Sequence, residues 1–200
     1  MADTLVPIQR PTLTFRSVVA KAVRDCYAAA AVVLEYGSGG STVMAAEMPG
    51  KRVFSVESDA IWAANLQAYL DQQGIAAGVS LHAVDIGPTG DWGTPTDESG
   101  WRRYHHYPLT VWDRADFQHP DVVLVDGRFR LACMATVLTR ITRPVVMLVD
   151  DYVARPAYHR FETLQKPSRL AGRMARFELL PQALPGAALS WVVDAFLRPK

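Results

Sequence analysis

Six acids in this chain stand where apolar runs give way to turns: Glu35, Glu57, Asp85, Asp126 and the adjacent Asp150 and Asp151. A carboxylate at such a place can hold a cation, accept hydrogen bonds from sugar hydroxyls, take a proton from a reacting hydroxyl or ligate a hard metal ion. The first acid precedes a glycine-rich turn, Gly37-Ser38-Gly39-Gly40-Ser41. Glycines let the backbone bend sharply and let a ligand approach it closely. A helix following Ser41 would add free backbone N–H groups at its start.

Three ligand classes use such a turn. A phosphate-binding P-loop needs Gly-Lys-Ser/Thr at its end. Here Gly40 is followed directly by Ser41, which excludes it. A dinucleotide fingerprint needs a small third residue, and Thr42 stands in that place. Glu57, about 20 residues on, would still suit a ribose. A nicotinamide-dependent oxidoreductase therefore stays as an alternative, although no partner for hydride transfer stands out. The third class places an acid before the turn, where it favours a cationic ligand and repels a pyrophosphate.

The elements that must position these acids alternate. Helical spacing of Val18, Val19, Ala22, Val23 and Cys26 predicts a helix from a Thr14 cap to about residue 27. Val32-Val33-Leu34, Arg52 to Glu57, Val79 to Asp85, Asp121 to Asp126 and Pro144 to Asp150 read as five buried strands. Asp59 is placed to cap a helix ended by Gly74, Phe129 to Ile141 reads as another, and a further helix is expected near Ala157. Arg173 to Leu180 and Ser190 to Leu197 read as an antiparallel pair. The expected fold is α/β: a Rossmann-like, doubly wound, mostly parallel seven-stranded sheet with an antiparallel C-terminal pair and helices on both faces. Ligands of such sheets bind outside the carboxyl ends of the strands.

The ordered set L34-E35-Y36-G37-S38-G39-G40-S41, VFSVES, HAVDI and DVVLVDG resembles the class I S-adenosylmethionine-dependent methyltransferases, over about residues 30–152. The resemblance implies one methyltransferase-like domain over residues 1–200. Residues 1–29 would form a lead-in and helix, and 86–118 a long loop insertion near the active-site cleft. It also implies S-adenosylmethionine as cofactor. Glu35 would face its methionine end, directly or through water, and Gly37, Ser38, Gly39 and Ser41 would pass close to it. Glu57, with Ser58 beside it, would take the ribose hydroxyls, and Asp85 would lie near the adenine.

Asp126, Asp150 and His159 are the candidate catalytic residues. An acid facing the sulfonium can orient a substrate or accept its hydroxyl proton. A resemblance to metal-dependent catechol-type O-methyltransferases makes Asp126, Asp150 and Asp151 candidate magnesium ligands, with Asp151 standing where asparagine is typical. Against the metal, the same acids suit pairing with Arg128, Arg130 or Arg155, whose alternative role is to bind an anionic substrate. The favoured function is methyl transfer to a small or medium acceptor at oxygen, because Asp126-Gly127-Arg128-Phe129 replaces the NPPY-type run of amino-methylating families. A catalytically inactive nucleoside-binding or interaction domain is the alternative.

Other features narrow the class. Trp92 and Trp101 in the long loop are candidates for a lid over the cofactor, and the His105-His106 pair is not expected to form a metal site. With 200 residues, half of them hydrophobic, and a net charge of +1, the chain can build one sizeable core and carries no basic excess for a nucleic-acid surface. Cys26 and Cys133 lack CxxC spacing and fit a reduced setting. The first twelve residues show no signal-peptide pattern, and no apolar run is long enough for a membrane. The expected setting is cytoplasmic, with a small-molecule acceptor, no membrane partner, no nucleic acid, and a homo-oligomer allowed.

Overall fold

The computed structural model describes residues 9–199, so the lead-in reading of residues 1–8 lies outside them. Seven strands form one sheet: β1 (Val32–Tyr36), β2 (Arg52–Glu57), β3 (Val79–Ala83), β4 (Val122–Val125), β5 (Val145–Val149), β6 (Arg169–Ala171) and β7 (Met174–Leu179). Their order is β3-β2-β1-β4-β5-β7-β6. The first five run parallel, and β7 lies antiparallel to both β5 and β6.

Alternation along the central strands feeds two cores, one on each face of the sheet. Val33, Val53, Val122 and Leu124 face α1 (Ser17–Ala29), α2 (Gly40–Ala46) and α3 (Ala60–Gln72) with Val23, Tyr27, Val43 and Leu66. Leu34, Phe54, Val123 and Val125 face α5 (Arg130–Arg140) and the 86–118 excursion. That excursion contributes Ile86, Tyr104, Tyr107, Val111 and Trp112 to the core, so most of it is packed structure rather than a free lid. It includes the short helix α4 (His106–Leu109).

Two readings of the chain change. The antiparallel pair is not Arg173–Leu180 with Ser190–Leu197. It is β6 with β7, joined by a tight turn at Gly172 and Arg173, where Gly172 has φ +58°. Ser190–Leu197 instead falls largely in α6 (Leu189–Ala195). Its Val and Phe content suggests a strand, but Ala188, Val192 and Ala195 bury at helical spacing, the first two against Ala135 of α5. Tertiary packing overrides propensity there. Secondly, α1 starts at Ser17 with Arg16 as N-cap and no side-chain cap, so Thr14 is not its cap. The lead-in stays extended because Thr12 and Leu13 cross over the glycine turn: a Cβ on Gly40 would sit 2.5 Å from Leu13 N. The segment near Ala157 is a 3-10 turn, Pro156–Thr163, anchored by buried Tyr158 and Phe161.

Candidate active site

The strand order reverses between β1 and β4, and the turns leaving these two strands meet at their carboxyl ends. Gly37 has φ +98°, and a Cβ on it would fall 2.7 Å from Gly127 N. A Cβ on Gly127 would overlap the Tyr107 hydroxyl and lie 2.8 Å from Gly37 N. Two glycines are thus required face to face for both turns to close. Beside them opens a cavity of about 280 Å³. Its walls are the lead-in at Thr12–Phe15, the turn Gly37–Ser41, Glu57–Asp59, Trp62, Trp92 and Gly93, and Tyr107 with Asp126–Arg128.

Glu57 ends β2 on this wall, nearly buried. One carboxylate oxygen accepts from Ser38 N at 3.1 Å and Ser38 Oγ at 2.8 Å. The other accepts from Ser58 N at 2.7 Å and Asp59 N at 3.0 Å. The glycine turn is therefore tied to β2, and Trp62 Nε1 holds it again by donating to Ser38 O at 3.0 Å. Ser58 Oγ donates to Gly93 O at 3.0 Å. A Cβ on Gly93 would overlap that hydroxyl, so only glycine lets the loop tip dock there and carry Trp92 onto the cleft. Trp92 is 81% exposed with φ +60°; Trp101 and Trp112 are not on the cleft wall, and Trp112 is buried against Phe117.

Glu35 is not on the wall. It is fully buried beneath the turn, where it accepts from Tyr27 Oη at 2.6 Å, Thr42 Oγ1 at 2.5 Å and Ser55 Oγ at 3.1 Å. Thr42 Oγ1 in turn accepts from Gly39 N at 3.0 Å. Glu35 thus acts on the turn from beneath, through Thr42 among others, as a positioning residue. Of the two expected modes for Glu35, direct or through water, its place beneath the turn offers no direct contact with the cleft. Loss of solvation pushes its carboxyl up, and the hydroxyl donors oppose that.

Asp126 does lie on the wall, with its side chain about a quarter exposed. Its carboxyl is pushed up to about 7, first by burial and then by Asp150 and Asp151, against the pull of Arg130. Arg130 clamps the ends of β4 and β5: it donates to the carbonyls of Asp126 (2.8 Å), Gly127 (3.0 Å) and Asp150 (2.7 Å). It also pairs with the Asp126 carboxylate at 3.1 Å and with Asp151 at 3.3 Å.

Three candidate residues are not brought to the cleft wall. Asp150 is fully buried and bound to Arg173, at 3.0 Å from Nε and 2.5 Å from Nη2, so it does not face the cleft. Asp85 caps Gly87 N at 2.8 Å and pairs with Arg103, away from the cleft wall. His159 is exposed on the 3-10 turn, 4.8 Å from the Tyr152 ring and hydrogen-bonded to Tyr152 O. Asp126, Asp150 and Asp151 are gathered by Arg130 and Arg173, and Arg155 joins no ion pair among the described residues. No group of three His, Cys, Asp or Glu among the described residues is placed to hold a metal, so this donor set does not fit magnesium.

Sequence reasoning missed Arg173 and the lead-in. The Ala171-Gly172-Arg173-Met174 turn was the available signal for Arg173. Nothing local marks Thr12–Phe15 as cleft wall.

No family model matches the sequence, and no curated protein matches it. Among solved structures, a methyltransferase-like protein from Silicibacter pomeroyi is 47% identical, with a TM-score of 0.91 over 95% of this chain and 99% of that one. The sheet order, the glycine turn and this likeness define a class: the chain belongs to the methyltransferase-like proteins. More distant structures share the fold. An O-methyltransferase of tomaymycin synthesis from Streptomyces achromogenes, solved with S-adenosylmethionine, is 18% identical at a TM-score of 0.60, over 85% of this chain and 82% of that one. An O-methyltransferase from Bacillus cereus, solved with S-adenosylhomocysteine, is 14% identical at 0.53, over 78% and 65%. No helix among the described residues is long and apolar enough to cross a membrane.

Proposed function

We propose that this chain binds S-adenosylmethionine in the β1/β4 cleft and transfers its methyl group to the oxygen of a small acceptor. The observation that carries the reading is Asp126: an acid on the same cleft wall as Glu57, with its carboxyl pushed up to about 7. A group titrating there is matched to removing a proton near neutral pH. The cleft's three carboxylates, Glu57, Asp59 and Asp126, outnumber its one cation, Arg128, and suit a cationic nucleoside better than a pyrophosphate.

In this reading Glu57 takes the ribose hydroxyls, and the Gly37–Ser41 turn passes beside the amino-acid end. When bound, the cofactor supplies a methyl group whose bond to sulfur breaks as the bond to the acceptor oxygen forms, the electron pair going to sulfur. Asp126 takes the acceptor's proton. Thr12–Phe15 and Trp92 exclude water from the cleft, and the rest of the protein's contribution is alignment.

Calorimetric titration with S-adenosylmethionine, S-adenosylhomocysteine and NAD tests the binding step. Both sulfur nucleosides are expected to bind; NAD binding without them would overturn the reading. For the chemistry, a methyl-transfer screen against metabolite pools supplies the acceptor. Asp126→Asn should then lower kcat about 100-fold or more while leaving S-adenosylhomocysteine bound. The rate needs ionised Asp126, so kcat/KM for the cofactor should rise with pH through about 7. A sulfonium bound beside Asp126 favours the ionised form, so the limb in kcat should lie lower.

A further inference from the structure

Arg128 sits on the cleft wall two residues after Asp126, and the surrounding acids do not account for it. Arg130 spends its donors on three carbonyls and two carboxylates. Arg173 is taken by Asp150 and Asp151. Arg128 has one side-chain hydrogen bond, from Nη1 to Thr94 Oγ1 at 3.2 Å. It enters no ion pair among the described residues, and its buried Nε has no hydrogen-bond partner among them. Burial and the neighbouring Arg130 push its pKa down, as expected where a half-buried cation lacks a counter-charge.

Its position is also specific. Thr94 follows the loop tip that Gly93 docks on Ser58, so the guanidinium is held between the β4 turn and the excursion. Tyr107 Oη accepts from Arg128 N at 3.3 Å and fixes the backbone from which the side chain leaves. Trp92 and Phe15 give the same cleft flat apolar surface. A planar guanidinium short of acceptors takes a carboxylate through two parallel hydrogen bonds.

Resting on the methyl-transfer reading, we infer that the acceptor carries a carboxylate and that Arg128 holds it, so that its hydroxyl is turned towards Asp126. Arg128 is then a specificity-determining residue, and acceptors without the acid are poor ones.

The test uses the full chain saturated with S-adenosylhomocysteine and two flat probes of one shape, benzoate and benzamide. Benzoate is expected to bind the complex at least about tenfold more tightly than benzamide. Arg128→Gln should remove that preference and Arg128→Lys should keep part of it, while both variants bind S-adenosylhomocysteine within about threefold of wild type. Equal affinity of the two probes for wild type overturns the inference, as does a preference that survives Arg128→Gln. A tenfold or larger loss of S-adenosylhomocysteine affinity in both variants, with melting temperatures unchanged, assigns Arg128 to the cofactor's own carboxylate and also overturns it. Failure of wild type to bind S-adenosylhomocysteine is a separate result, which overturns the methyl-transfer reading itself.

Discussion

Glu35, the penultimate residue of β1, and Glu57, the last of β2, stand on neighbouring parallel strands and are both buried, yet they do different work. In the register of β1 and β2, Glu35 lies opposite Ser55, and Tyr36 lies opposite Val56. Glu57 is therefore one step past the last pair, where β1 has already given way to the Gly37 turn. That displacement moves it from beneath the turn to the cleft wall. Glu35 meets hydroxyls of Tyr27, Thr42 and Ser55; Glu57 meets backbone N–H groups of Ser38, Ser58 and Asp59. An acid's place along the strand, more than its being an acid, decides whether it supports a site or forms it.

If this contrast is real, Glu35→Ala gives the largest loss. It strands three buried donors and opens a cavity, for a cost of about 3 kcal/mol or more. For a chain of this size that is a fall of roughly 6–12 °C in melting temperature, read by calorimetry. Glu57→Gln should fall mainly on binding. One of its oxygens becomes an amide facing backbone N–H groups that cannot rotate away, for a stability loss of about 1–2 kcal/mol, while S-adenosylhomocysteine affinity falls about 10- to 100-fold, or about 1.4–2.8 kcal/mol. Should Glu35→Ala bind more weakly at unchanged stability, or Glu57→Gln melt early and bind normally, the two roles have been exchanged.

Thr42 is the link between the two acids' regions. Thr42→Val keeps the shape but removes both the donor to Glu35 and the acceptor for Gly39 N. A loss of about 1–2 kcal/mol in stability is expected, with a several-fold weaker nucleoside, and Thr42→Ser should restore both. Full stability in Thr42→Val would mean that the turn is held from β2 and α3 alone, through Glu57 and Trp62.

The sequence made the parallel half of the molecule legible. Val-rich runs closed by acids specified β1, β2, β4 and β5 because these are buried on both faces, and apolar runs report that directly, whereas the edge strand β3 is only partly buried and was legible from its place in the alternation. Glu57 and Asp126 could be placed at strand ends from the same runs. The role of Glu35 could not, because whether a strand-end acid points up or under depends on register against β2. The misread C-terminal pairing carried a cost at the site. With β6 unseen, the Gly172-Arg173 turn is unseen too, and the sequence offers Asp150 only Arg128, Arg130 or Arg155 as partners. Long-range placement of one arginine, not the composition of β5, settles that acid. The wall formed by Thr12–Phe15 was illegible for a related reason: an extended lead-in has no period, and only the required glycine at position 40 betrays that another backbone crosses there.

The smallest effect expected is Glu35→Gln, and its sign separates support by charge from support by hydrogen bonding. The Glu35 carboxyl is raised by burial. The unfolded chain therefore releases this proton at lower pH than the folded one, and stability falls as pH rises from about 4 through the raised value. Glutamine keeps the volume. Its carbonyl can still accept from Tyr27, and its amide can donate to Thr42 Oγ1 or Ser55 Oγ, since a hydroxyl has two acceptor lone pairs and a free rotor. The variant should stay within about 1 kcal/mol of wild type near neutrality, with a shallower fall of stability with pH. Denaturant titrations at several pH values give that slope. An unchanged slope would mean the ionisation of Glu35 contributes nothing, whereas a loss as large as that of Glu35→Ala would mean that the hydroxyls require a carboxylate, and that the turn above them rests on a buried charge.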